Sequence, residues 1–325
     1  MIHKLRYTML TTALALCAAC GFPQSDSLGQ PADTLSAVHT FTVPADSLPP
    51  SRAPKWRLPF IVSSEAVLYT GALVGLNYLW YEDYPRSPFH FINDNAEWMG
   101  MDKLGHATTS YYVGLLGYES LRWAGVREKT AVWTGGTLGL FFLTSIEVLD
   151  GFSSEWGASW GDMIANTGGA ALFISQQLVW KEQRFRLKYS FWPSEYAAKR
   201  PNLLGENLLQ QPLKDYNAQT YWLSANIWSF LPNREHRRFP RWLNIAVGYG
   251  ANGMLGGHDN PPEFADVHRY HQFYLSVDVD LTRIRTRSKA LKTIFKIVNF
   301  IKIPAPAIEF NTNSSGNVRF HWLFF

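Results

Sequence analysis

Asp102-Lys-Leu-Gly-His106, Glu147-Val-Leu-Asp150-Gly151 and Ser159-Trp-Gly-Asp162-Met-Ile-Ala-Asn166 are three short polar runs in a stretch, Met101 to Leu178, that is otherwise apolar, small or aromatic. Between and around them the pattern predicts helices at about Leu104 to Ala124, Thr130 to Leu149 and Asp162 to Trp180, with an earlier one from Phe60 to Tyr81 that Glu65 interrupts. Each is close to the roughly 20 residues that cross a bilayer. Gly114 and Gly117, Gly135, Gly136 and Gly139, and Gly168 and Gly169 would let such helices approach closely. The expectation is an apolar four-helix bundle over residues 55–181.

The polar runs are spaced to converge. Asp102 and His106 lie four residues apart, Glu147 and Asp150 three, and Asp162 and Asn166 four, so each pair shares one helix face. Packed together, these carboxylates, imidazole and amide could hold a divalent metal and an activated water, or do acid–base chemistry. The metal-ligand candidates are Asp102, His106, Glu147, Asp150, Asp162 and Asn166; the catalytic candidates are His106, Glu147 and Asp162; Thr109, Ser110, Thr144 and Ser145 are candidates to support them. A plainer account stands beside this one. Asp102 suits a helix N-cap, Ser159-x-x-Asp162 a capping box, and Asp150-Gly151 a helix end. His106, Glu147 and Asn166 resist it, because a polar group inside an apolar helix costs several kcal/mol (roughly 2–7) unless it finds a partner. A hydrogen-bonded structural network, a metal or catalytic site, and a ligand or headgroup pocket all remain open. No phosphate-binding Gly loop, nucleophile elbow or His-Glu-x-x-His zinc motif is present.

From Arg184 the period changes from about 3.6 to 2. Phe185, Leu187, Tyr189 and Phe191 alternate with Arg184, Arg186, Lys188 and Ser190, a strand with one wet face. Alternation recurs in Tyr221 to Ile227, Leu243 to Ala251, Phe273 to Leu281 and Val318 to Phe325. Residues 182–325 are therefore expected to form an antiparallel sheet of about six strands, open or partly closed. A last strand ending on Phe325 resembles the closing strand of outer-membrane barrels; an ordinary amphipathic sheet is the alternative. Near residues 288–303, Leu291, Ile294, Phe295, Val298 and Ile301 share a helical face, with Lys289, Lys292, Lys296 and Lys302 elsewhere. Such a basic amphipathic helix suits anionic headgroups, or else packs on the sheet. The fold class expected is α+β.

At the N-terminus, His3, Lys4 and Arg6 precede a nearly uncharged run from Tyr7 to Ala19, the pattern of an export signal over residues 1–20. Ala18-Ala19-Cys20 is similar to a bacterial lipoprotein box with Cys20 as the acylated residue, although Cys17 departs from the usual aliphatic position. With Cys17 and Cys20 the only cysteines, the mature chain would hold no internal disulfide. Residues 21–54, rich in Ser, Pro, Asp, Ala and Thr, read as a flexible tether. The 13 Trp residues, many beside apolar runs, suit a membrane interface. A net charge of +4 without a basic stripe argues against nucleic acid.

The motif set Asp102, Lys103, His106; Glu147, Asp150; Ser159, Trp160, Asp162; Gly169-Ala170 resembles domain-of-unknown-function family 2279, predicted bacterial periplasmic lipoproteins, over roughly residues 95–180. A more distant likeness, carried by the Asp-Lys-x-x-His opening, the mid-helix Glu and Asp162, Asn166 and Gly169, is to VanZ-like membrane proteins. The first resemblance implies an exported, periplasmic-side envelope protein associated with the outer membrane; the second implies a membrane-embedded polar site. Neither implies a reaction. The function expected is a membrane-associated envelope protein, structural or lipid-binding, with membrane lipid and another envelope protein as candidate partners. The alternative is a metal-dependent hydrolase or transferase acting on an envelope lipid or glycan.

Overall fold

The computed structural model describes residues 53–81, 84–232, 239–313 and 317–325. The expected signal, Cys20 and nearly all of the tether lie outside the described residues.

Helix α1 (Arg57–Leu76) is followed by a short π-helical turn at Asn77–Tyr81. Helices α2 (Met101–Trp123), α3 (Glu128–Gly136), α4 (Leu138–Gly151) and α5 (Trp160–Trp180) complete the helical region. The single long helix expected from Thr130 to Leu149 is thus two, divided at Thr137. The break follows Gly135 and Gly136, which lie against α2 and α5: a Cβ on Gly135 would meet the backbone of Gly117 at 2.5 Å, and one on Gly136 would meet Ile174 at 2.7 Å. The other close crossings are of the same kind. A Cβ on Gly139 would sit 2.3 Å from the Ser110 carbonyl, and one on Gly169 2.1 Å from that of Ala107. Gly168 faces open space instead.

The bundle core gathers Ile61, Tyr111, Val132, Phe173 and Ile174. Helix α1 buries Ile61 alone. Of the two helical stretches among the described residues long and apolar enough to cross a membrane, Arg57–Leu76 is only 6% buried across its apolar window, whereas Glu128–Gly151 is 33% buried. Glu65, the charge within α1, meets Ser120 of α2 at 2.5 Å.

The change of period is fixed by glutamine. The Gln176 side-chain carbonyl accepts from the backbone N–H groups of Arg184 (2.9 Å) and Phe185 (2.7 Å), after Lys181 has ended α5 in the left-handed region at φ 57°. Two small strands, β1 (Phe91–Ile92) and β2 (Ala158–Ser159), pair in parallel beside the bundle. The six-stranded sheet is an antiparallel meander of β3 (Phe185–Phe191), β4 (Gln219–Asn226), β5 (Leu243–Asn252), β6 (Tyr270–Val279), β7 (Ala305–Asn311) and β8 (Val318–Phe324). Five of these follow the expected alternation; β7 is the unexpected one, its period masked by Pro306. The sheet is not closed into a barrel. The free edge of β3 is met by one parallel bridge, Tyr189 to Ile301, rather than by β8.

The wet face of the sheet is not where alternation suggests. Lys188, Ser224, Asn244, Ser276, Asp278 and Glu309 are buried, while Leu223, Ile245, Val247, Phe273, Leu275, Val277, Phe310 and Phe320 are exposed. Register aligns the apolar side into rows: Leu187, Leu223, Val247, Leu275, Ile308 and Phe320 are successive partners across all six strands. On the polar side Lys188 reaches Asp278 at 2.9 Å, both fully buried, although β3 and β6 are not neighbours. The strands curl around their polar side chains and turn the apolar ones outward.

The amphipathic helix, α6 (Lys289–Val298), is shorter than its expected span because Asn299 ends it. Lys302 therefore leaves the basic face and turns inward, donating to the carbonyls of Val277 (3.0 Å) and Ile303 (3.1 Å) with its Nζ 4.7 Å from the Trp222 ring centre.

Candidate functional site

The polar runs meet where the start of α2, the end of α4 and the start of α5 come together. Trp98 and Met99, at φ 48° and 53°, and Gly100, at 77°, form a left-handed turn that aims the first turn of α2 inward. For Trp98 and Met99 this conformation costs of order 1 kcal/mol each and persists only when surroundings hold it. The C-terminal region holds it: Trp98 donates its N–H to the Gly257 carbonyl (2.8 Å), and the Tyr249 hydroxyl donates to that of Met99 (2.5 Å).

Because Gly100 is the N-cap, Asp102 caps nothing. It accepts instead from the Tyr216 hydroxyl (2.8 Å) and from Lys103 (3.3 Å). The Ser159 cap is real, its hydroxyl oxygen accepting from Asp162 N–H at 3.1 Å. The box does not close on itself. The Ser159 N–H donates to Glu147 Oε2 (2.9 Å), and the Ser159 hydroxyl donates to Asp94 (2.5 Å).

His106 stands at the centre. Its Nδ1 is 3.1 Å from Asn166 Oδ1 and 3.7 Å from Glu147 Oε1; its Nε2 is 3.9 Å from both Asp102 Oδ1 and Asp162 Oδ1. Facing the same carboxylates, the Lys103 ammonium touches Asp94 (2.8 Å), Asp162 (2.9 Å) and Asp102 (3.3 Å). Asp150 lies to one side, bonded to the Tyr81 hydroxyl. Of the four supporting candidates, Ser110 alone reaches a site residue, donating to the Asn166 carbonyl at 2.7 Å; Thr144 and Ser145 bond back to their own helix, and Thr109 is exposed.

Five carboxylates (Asp94, Asp102, Glu147, Asp150 and Asp162) face one ammonium and one imidazole, and this imbalance governs the protons. Burial pushes Glu147 up to about 8. It pushes Asp150 up to about 6 and, with help from the Asp102 charge, Asp162 up to about 7. Asp94 moves the other way, since hydrogen bonds from Lys103 and Ser159 outweigh its burial. Burial would lower His106, but the charges of Asp102, Asp162 and Glu147 prevail and raise it. Carboxyls whose titration burial brings toward neutral pH, beside an imidazole that holds its proton more firmly, can exchange protons with a bound group or accept a cation in their place.

Residues 90–176 match the family model DUF2279, predicted periplasmic lipoprotein. That interval carries Asp94, Asp102, Lys103, His106, Glu147, Asp150, Ser159, Asp162 and Asn166, so the matched region and the polar cluster coincide. The sheet lies outside it. No curated protein and no solved structure matches the chain.

Asp94, Lys103 and Tyr216 belong to the site although sequence reasoning did not select them. Lys103 carried a signal, being adjacent to Asp102 within the first run. Tyr216 had none, because its approach depends on how the sheet region docks against α2.

Proposed function

We propose that this chain is a membrane-apposed cell-envelope protein that binds lipid through its sheet and outer helices, with the polar cluster held in the bundle behind them. The observation that carries the reading is the orientation of the sheet. Its polar face is enclosed and its apolar face outward, an arrangement that is costly in water and suited to hydrocarbon.

Three further features support it. A groove of about 510 Å³ runs between Leu104, Ala107 and Thr108 of α2 and the apolar rows at Leu223, Val247 and Leu275; this is within the roughly 300–1,000 Å³ of small-molecule sites. Helix α1 leaves most of its apolar surface uncovered. On α6, Leu291 and Ile294 are exposed beside Lys292 and Lys296, an apolar and basic pairing that matches anionic lipid.

Flotation with vesicles of phosphatidylethanolamine and phosphatidylglycerol tests this, using a Cys20→Ser chain that can carry no acyl anchor. The expected result is co-flotation that falls when Val247 and Leu275 are both changed to Asp, with far-UV circular dichroism unchanged. Unaltered flotation of that variant, or none by the Cys20→Ser chain, would overturn the reading.

A further inference from the structure

We propose that Asp102, His106 and Asp162 bind one divalent cation of the manganese or zinc kind. The inference stands apart from lipid binding and rests on the geometry around one imidazole.

One ligand atom from each of the three residues lies within 4.8 Å of the other two. Asn166 Oδ1 is an acceptor only, so at 3.1 Å it places a proton on His106 Nδ1. With a cation in place of the second ring proton, Nε2 presents a lone pair. That lone pair faces Asp102 Oδ1 and Asp162 Oδ1, each 3.9 Å away and each also an acceptor. At that distance no direct hydrogen bond can join them. Three acceptors directed at one small space are the complement of a cation. The Nδ1–H contact is the outer-shell bond by which metal-ligating histidines are usually oriented.

A second observation points the same way. Asp162 is 4% exposed, and its Oδ1, 3.9 Å from His106 Nε2, has no hydrogen-bond partner and only the Lys103 ammonium beside it. A buried carboxylate oxygen that faces the space beside Nε2 without a hydrogen bond is open to a cation. Lys103 competes for this place: its ammonium lies 2.9 Å from Asp162 Oδ1 and also touches Asp94 and Asp102, while Tyr216 donates to Asp102 Oδ1 at 2.8 Å, so a bound ion would take the place of the ammonium at Asp162. One imidazole and two carboxylates form a mixed set acceptable to Mn²⁺ and Zn²⁺, with coordination positions left over for water or an anionic group.

The test uses the full chain in detergent, stripped with chelator and titrated with Mn²⁺ by calorimetry and electron paramagnetic resonance, with Zn²⁺ in parallel. One equivalent is expected to bind. Asp102→Asn and His106→Gln should each weaken binding at least about tenfold, as loss of even an outer-shell partner does. Lys103→Met keeps all three ligands and removes the competing ammonium. It should bind at least as tightly as the wild type and recover thermal stability when Mn²⁺ is added. No stoichiometric uptake by the wild type, uptake undiminished in both ligand variants, or a Lys103→Met chain that metal fails to stabilise would each overturn the assignment.

Discussion

Replacing Lys188 by Met tests the inverted sheet at its centre. The Lys188 ammonium and the Asp278 carboxylate are 2.9 Å apart and both 0% exposed. Lys188 also donates to the Val279 carbonyl (2.7 Å), while Asp278 accepts from the Ser224 hydroxyl (2.6 Å), which in turn accepts from Asn244 (2.8 Å). Removing the lysine leaves a carboxylate enclosed by the sheet with one neutral donor. Breaking a buried pair in this way costs about 3–5 kcal/mol. The pair Lys188→Met with Asp278→Leu should regain most of that loss, because neither half of the ion pair is then stranded. Lys296→Met is the control: its partner Glu119 is exposed, as it is itself, and such pairs are worth about 0–1 kcal/mol. Denaturant unfolding in detergent, followed by tryptophan fluorescence, reads all three, since Trp222 lies in the same interior. A Lys188→Met chain within about 1 kcal/mol of wild type would show that water reaches the polar face. The orientation on which the lipid reading depends would then be wrong.

Lys302 gives a pH-dependent counterpart. Burial pushes its ammonium down to about 8, so between pH 8 and the ordinary lysine value the unfolded chain holds a proton that the native one has shed. Stability should therefore rise with pH across that window, by up to about 1.4 kcal/mol per unit. Lys302→Met should remove that slope; identical slopes for the two chains from pH 8 to 10 would refute it. Neighbouring glycines offer a second comparison. Gly169→Ala places a methyl against the Ala107 carbonyl and should cost about 1–3 kcal/mol, whereas Gly168→Ala meets nothing and should be neutral or gain about 0.5–1 kcal/mol. Equal thermal midpoints for the two variants would mean that α2 and α5 do not cross at Gly169.

The helical region was legible because the spacing of its polar residues carries geometry. Asp102 with His106, and Asp162 with Asn166, share faces in any helix, and the glycines opposite them mark where α2, α4 and α5 must cross. Helix breaks were less legible. Nothing in Gly135-Gly136-Thr137 distinguishes a close crossing from an interruption, and here the residues serve as both. Capping was read correctly at Ser159 and incorrectly at Asp102, for one reason. The cap of α2 is a left-handed glycine whose turn is held by hydrogen bonds between Trp98 and Met99 and residues about 150 positions later, and local pattern cannot register partners so distant.

The sheet shows a different limit. Alternation of period two separates two faces, but it is silent on which one is enclosed, because Leu187 and Lys188 alternate identically in either case. The missing information lies in pairing between strands that are not neighbours. On β3, Arg186 and Lys188 carry positive charge. Two residues spaced in the same way near the end of β6, Asp278 and Asp280, carry the matching negative charge and meet them at 2.9 and 3.2 Å. Between the neighbouring strands β7 and β8, His321 meets Glu309 at 2.7 Å. On a water-facing surface such matching would contribute little, since exposed pairs are worth about 0–1 kcal/mol. Inside a curled sheet it is required, because each unmatched charge would bear the cost of burial alone. Acid on one strand matched to base on another at equal spacing, with unbroken apolar rows on the opposite side, is therefore the pattern by which an inverted sheet can be told from an ordinary one.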